Sequence, residues 1–316
     1  MRTWLTDTLG LAVPVVGAPM AGVADGRLAA AVSEAGALGM VGAGAEVTPR
    51  WIAEQAEVAG ASGRPYGIGL MAWAQDEKAP QVDAVLELRP ALVSVSFGDY
   101  RRHVAALKAS GITVATQVGT VAEARSAQGA GVDVIVARGS EGGGHGRGDV
   151  GTLPLLQAVL DAVDVPVLAA GGIATARGLA AVLAAGAAGA WVGTAFLACE
   201  EATLPAPVRQ RLFTASETDT AYGRVFDVAQ RLGWPPEYGG RALRNAFFDR
   251  WVGREDELAE DDDARVQLET ARRNTDLDVA YVYAGQAVGL LSGVRSAADV
   301  VRDFAAAADL LHRAAV

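Results

Sequence analysis

The chain has 316 residues, 51% of them apolar and 20% charged, with a formal net charge of −10. The acidic balance argues against nucleic acid or an anionic membrane as the main partner, and no uninterrupted apolar run reaches the roughly 18 residues of a membrane span. A single cysteine, Cys199, excludes an internal disulfide and fits a cytoplasmic protein, while three histidines without ligand spacing give no transition-metal site.

The opening MRTWLTDTLG has no basic region followed by an apolar one, so no secretion signal is expected. Further along, one pattern recurs four times, in EAGALGMVGAG, KASGITVATQ, QGAGVDVIVARG and LAAGAAGAWVGT. A helical stretch ends at a small residue and a glycine, and a short apolar run follows. Glycine takes the left-handed conformation that ends a helix. A strand buried on both faces reads as continuously apolar. Filling the gaps gives eight strand candidates, at 13–17, 38–42, 66–70, 92–95, 113–116, 133–137, 167–169 and 190–192, all separated by helix-like segments. Eight alternating units predict an α/β fold of the (β/α)8 TIM-barrel type. An open doubly wound sheet is the alternative, but VGAGAEV has Val47 where the third glycine of a dinucleotide fingerprint belongs.

After Thr194 the pattern breaks into charges, prolines and aromatics: GWPPEYGG, NAFFDRW, REDELAEDDD. Residues 199–274 are expected to form a mostly helical insertion after strand eight, on the face where barrels bind substrate. Residues 1–198 and 275–316 would make the barrel, with a last helix over 297–314. The acidic run 260–263 reads as a solvated loop or helix end rather than a cation site.

Chemistry in such a barrel sits in the loops after the strands. Gly171 and Gly172 in AAGGIA, with Gly193 and Thr194 in WVGTAF, end strands seven and eight; exposed N–H groups there would cradle a phosphate. After strand six comes GSEGGGHGRG, four glycines around His145. Imidazole titrates near neutral pH, and glycines let the backbone pass close to a flat ring. Glu141 would orient this loop through N–H groups or pair with a cation. His103 and His312 read as surface residues.

The segments VPVVGAPMAGVADGRLAAAVSEAGALGMVGAG, VDVIVARGSEGGGHGRG, VPVLAAGGIATARGLAAVLAAGAAGAWVGTAF, GRALRN and AGQAVGLL together resemble the nitronate monooxygenase family, formerly called 2-nitropropane dioxygenase. That family is similar to FMN-dependent enoyl-ACP reductases and to an NADH:quinone reductase branch. The resemblance spans nearly the whole chain. It implies one non-covalent FMN, its phosphate on Gly171, Gly172, Gly193 and Thr194. Ala18, Pro19 and Met20 would line the ring with their backbone, and Gln117 and Gly139 would approach ring or ribityl chain. Gly69, in GIGL, stands where the family often has asparagine, which removes one expected side-chain contact to the flavin. Arg138 stands where the family often has glutamine; it would place a positive charge near flavin or an anionic substrate, or point outward.

The activity implied is oxidation of alkyl nitronates, and of nitroalkanes if His145 acts as base, by O₂ to carbonyl compounds and nitrite. The alternative is an NAD(P)H-using reductase of an enoyl or dienoyl thioester or of a quinone. Ser140 and Gln286 are weaker candidates for the substrate wall. For Arg241, Arg244 and Asn245 the expectation is anchoring of the insertion, with a buried Arg–carboxylate pair as the simplest form. The partners expected are small molecules; a homodimer is compatible with all of this.

Overall fold

The computed structural model describes residues 1–75 and 79–314. Its strands are β1 (Val15–Gly17), β2 (Gly39–Gly42), β3 (Tyr66–Met71), β4 (Leu92–Ser96), β5 (Thr113–Val118), β6 (Val134–Arg138), β7 (Gly144–Gly146), β8 (Val167–Ala170), β9 (Gly189–Val192), β10 (Thr220–Gly223) and β11 (Gly239–Leu243). Eight of them form a parallel sheet in the order β1-β9-β8-β6-β5-β4-β3-β2. Val16 and Leu38 bridge the two edges, with Gly17 N–H donating to Leu38 O at 2.8 Å, so the sheet closes into a barrel. All eight strand candidates are present. The first is shorter than expected because Pro14 has no N–H to give to the ladder.

Inside the barrel, Val16, Leu38, Met40, Leu92, Val134, Val136, Leu168 and Trp191 are buried together. Leu5, on the helix Trp4–Leu9, plugs the end where the strands begin; a Cβ on Gly189 would lie 2.8 Å from its Cδ2. A larger apolar shell separates strands from the surrounding helices. Approach there is close: a Cβ on Gly39 would sit 1.9 Å from Ala29 O. Thr48, Thr120 and Thr175 cap the helices that follow β2, β5 and β8, each hydroxyl accepting an N–H of the first turn. Among the described residues no helix is long and apolar enough to cross a membrane.

The stretch after β9 holds helices Ala206–Phe213, Val225–Gln230, Ala246–Trp251, Glu255–Glu260 and Asp262–Asn274. It also holds β10 and β11, which pair with each other and with β7 in an antiparallel sheet. The sequence pattern had not indicated this sheet, because its glycine-rich strands carry no alternating apolar signal. A second core under it joins Phe226, Phe247, Phe248, Trp251 and Leu268 to Val279 and Ala280, past residue 274. The acidic run lies at a helix junction: Asp261 caps Asp262–Asn274, and Asp262 and Asp263 sit in its first turn, favourably placed at the positive end of the helix dipole.

Two expectations change. The last helix is broken at Ala306 into Ala297–Ala305 and Ala307–Ala314, its N–H bonding back to Asp303 O at 3.2 Å in a tightened turn. His103 is buried, not on the surface. Its Nε2 accepts from Arg102 Nε at 3.0 Å, which requires that nitrogen to be unprotonated. Burial, then the Arg102 charge, holds this imidazole below the ordinary 6.5. The unfolded chain therefore binds the proton more readily, so the stability contribution is fully present above pH 6.5 and is lost as pH falls below it. Unfolding followed from pH 7 to 5 should show wild type losing stability relative to His103→Gln; parallel curves would contradict this.

Candidate active site

The ends of β8 and β9 meet at the mouth of the barrel. Gly171 and Gly172 have φ of 109° and 71°, the left-handed region that favours glycine. Gly193 precedes the short helix Thr194–Leu197. Among the described residues, the backbone N–H groups of Gly171, Gly172, Gly193 and Thr194 donate to no protein acceptor. Unfilled donors from two adjacent strand ends make a nest for an anion. The Thr194 hydroxyl accepts from Gly285 N–H at 3.0 Å and keeps its own proton to donate. These residues fit a terminal phosphate.

The neighbouring loop after β1 packs against this nest. Ala18 N–H donates to Val192 O at 2.8 Å. A Cβ on Gly193 would meet Met20 Sδ at 3.5 Å and Ala18 Cβ at 3.6 Å. Pro19 lies over Gly69, where a Cβ would come within 2.3 Å of the proline ring. Gly69 thus makes room for Pro19, and a side chain there would displace it. At the end of β5, Gln117 N–H bonds to Ser96 Oγ at 3.0 Å, while its side-chain amide has no partner among the described residues. Gly139 packs against Thr152, whose N a Cβ would approach to 2.3 Å. Ser140 is held through its backbone, accepting from Arg241 Nε at 2.7 Å. Gln286 N–H donates to Glu141 O at 2.9 Å, and the residue is exposed.

The glycine-rich stretch is fixed from both sides. The Glu141 carboxylate accepts from Thr152 N–H and hydroxyl, both at 2.8 Å, tying the loop to the helix Thr152–Leu160. Arg138 does not point outward. It is buried, and its Nη2 donates to the carbonyls of Gly142, Gly143 and Gly144 at 2.7, 3.2 and 2.8 Å. Burial pushes its guanidinium down to about 10, so it stays charged at neutral pH. Arg241 does not form the expected carboxylate pair; it donates to Ser140 O and to Thr220 Oγ1 at 3.1 Å, joining insertion to loop. Arg244 pairs with exposed Asp249, and Asn245 caps the helix Ala246–Trp251.

His145 lies on β7, opposite Gly240 of β11, rather than in an open loop. Its Nε2 is 2.7 Å from Asp227 Oδ1, with the two side chains 10% and 2% exposed. The ring stacks on Trp234 at 3.6 Å between centroids and 4° between planes. Tyr283 flanks it at 5.2 Å. The Tyr283 hydroxyl, kept protonated by burial and by the Asp227 charge, donates to the same carboxylate oxygen at 3.4 Å. Trp234 in turn packs on Trp73 and Phe97, from the loops after β3 and β4. Asp227, Trp234 and Tyr283 were not found from the sequence. The available signal was an acid amid apolar residues in VFDVA, an uncommon place for a solvated carboxylate. Among the described residues no cluster suited to a metal ion occurs.

The model of the family described as nitronate monooxygenase matches residues 2–81 and 77–306. The chain belongs to the nitronate monooxygenase family. A nitronate monooxygenase of Neurospora crassa is 32% identical, over 96% of this chain and 90% of that one. A 5-hydroxy-7a-methyl-1-oxo-octahydro-1H-indene-4-carboxyl-CoA dehydrogenase of Rhodococcus jostii is 36% identical over 72% of this chain, a match that spans only 64% of that relative. Among solved structures, FabK from Thermotoga maritima superposes with a TM-score of 0.87 at 29% identity, covering 100% of this chain and 99% of that one. A nitroalkane oxidase from Streptomyces ansochromogenes does so with 0.84 at 29%, covering 99% of each.

The family's glycine–histidine stretch here depends on Arg138. Arg138→Met should leave its carbonyl partners without donors, at about 1–3 kcal/mol for each that stays buried. A clear fall in the urea midpoint is expected, and an unchanged midpoint would show that water replaces the guanidinium.

Proposed function

We propose that the chain is an FMN-dependent nitronate monooxygenase that oxidises alkyl nitronates, and neutral nitroalkanes after deprotonation, with O₂. The observation carrying this reading is the set of unfilled donors at Gly171, Gly172, Gly193 and Thr194, which fits one terminal phosphate. Bound FMN would supply the electron transfer from substrate to O₂. The rest falls to the chain. Ala18, Pro19, Met20, Gly69 and Gly139 form the close-packed floor, and the free Gln117 amide is available to a ring or ribityl polar atom. Residues 199–274 are the substrate-side subdomain, bringing aromatic side chains over the mouth. His145 takes the proton from the carbon next to the nitro group; the C–H pair becomes the C=N bond and the charge passes to the nitro oxygens. A nitronate already lacks that proton and needs His145 only as a hydrogen-bond donor.

A reductase reading is favoured by the likeness to FabK and to the CoA-thioester dehydrogenase. Anaerobic mixing separates the two: bleaching of the flavin by a nitronate alone supports the monooxygenase, and bleaching by NAD(P)H supports the reductase.

Purified protein should be yellow and release FMN on heating. Gly193→Asp should fold, since the added Cβ meets only ordinary contacts, yet lose FMN because a carboxylate faces the phosphate. Retained FMN affinity in that variant would move the phosphate elsewhere. His145→Ala should keep FMN and lose about 10²–10⁴ in nitroalkane turnover, the usual worth of a general base. Its nitronate turnover should fall much less. Equal rates to wild type with both substrates would make the histidine structural.

A further inference from the structure

The environment of Asp227 is unusual for a carboxylate. It is 2% exposed, on the helix Val225–Gln230, and no lysine or arginine lies within ion-pair distance of it among the described residues. Its side chain meets only the His145 ring and, at 3.4 Å, the Tyr283 hydroxyl. Burying a charge without a cationic partner is costly. Here the compensation comes from two contacts to Oδ1, the shorter of them from His145 Nε2 at 2.7 Å.

The surroundings hold the ring in that orientation. Trp234 covers one face, and Tyr283 leans on it at 55°. A Cβ on Gly240 would lie 2.7 Å from Tyr283 Cε1 and 3.4 Å from His145 Nε2, so the opposing strand can carry no side chain there. An ionised carboxylate only accepts hydrogen bonds. With Asp227 ionised, Nε2 carries the proton in this contact, and in the neutral ring Nδ1 is bare. Among the described residues Nδ1 has no partner.

We propose that Asp227 is a positioning residue that fixes His145 as the Nε2–H tautomer and leaves Nδ1 as its proton-accepting atom. This rests on the reading that His145 handles a proton. In that step Nδ1 takes the proton from the nitroalkane carbon, the C–H electron pair forms C=N, and the new imidazolium charge lies 2.7 Å from Asp227. The insertion would thus supply the group that orients a histidine belonging to the barrel's loop. A purely structural dyad, merely tying β7 to the insertion, would hold the same tautomer but leave nitroalkane kcat unchanged when Asp227 is replaced.

The test uses FMN-loaded protein labelled with ¹⁵N-histidine. There are three histidines, and the spectrum of His145→Ala assigns the one in question. Wild type should show His145 with protonated Nε2 and unprotonated Nδ1. Asp227→Asn should lose that single tautomer, keep its FMN, and lose roughly 10–100-fold in nitroalkane kcat, a typical cost of losing an orienting partner. KM and nitronate turnover should stay close to wild type. Asp227→Glu should recover the tautomer and part of the rate. An Nδ1–H tautomer in wild type overturns the proposal, as does wild-type nitroalkane turnover in Asp227→Asn. Should Asp227→Asn fail to fold, the wild-type spectrum and Asp227→Glu decide. If His145→Ala itself turns over nitroalkane normally, the base assignment fails, and the tautomer separately reports on Asp227.

Discussion

The buried Arg138 guanidinium is the contact around which the site is organised. Among the described residues no carboxylate neutralises it within ion-pair distance, and the loop does so with carbonyl dipoles, curling Gly142, Gly143 and Gly144 around one Nη2. Side chains on that curve would collide with the charge they surround: a Cβ on Gly146 would lie 2.2 Å from Nη1, and one on Gly142 3.1 Å from Nε. The glycines of this stretch are therefore a packing requirement as much as a conformational one. Once curled, the chain leaves the barrel in the right direction for residues 144–146 to meet β11.

That meeting fixes the surroundings of His145. A barrel loop alone would leave His145 solvated and free to rotate. Pairing with β11 places it against Asp227, Trp234 and Tyr283, none of which belongs to the barrel strands or the loops that follow β1–β8. The Arg241 guanidinium reinforces the junction by bonding a carbonyl of the loop and a hydroxyl of β10 together. Residues 199–274 thus contribute the polar partner, Asp227, and one aromatic wall, Trp234, while Tyr283 of the returning segment supplies the other.

The barrel was legible in the sequence because its signal is local. An Ala-rich helix, a glycine stop and an apolar run recur within about a dozen residues each, and burial on both faces makes each strand one continuous apolar run. The doublet Gly171–Gly172 was legible for the same reason: positive φ at a strand end asks for glycine. The antiparallel sheet was not, because GHG and GGRAL show neither alternation nor β-branched residues, and their pairing spans nearly a hundred positions. Arg138 could be seen as a departure from the family pattern, but its direction depends on carbonyls that only the folded loop supplies. His103 was misread because RRHVAALK looks charged; Arg102 reaches Gln75 O and the imidazole itself, so the histidine goes under.

Under the proposed function, phosphate binding and proton handling would fall to different parts of the chain. The nest at β8 and β9 uses backbone N–H groups held by the barrel, whereas His145 is set by a side-chain carboxylate from the insertion. The two meet through Glu141, whose carboxylate binds Thr152 and whose carbonyl takes Gln286 N–H, and through Thr194, whose hydroxyl takes Gly285 N–H. A Cβ on Gly143 would come within 2.4 Å of Gly285 N, so the glycine-rich loop and the returning segment are in direct van der Waals contact. The same fold superposes on both FabK and a nitroalkane oxidase, so the backbone alone does not set the activity; that has to be argued from the side chains at the site.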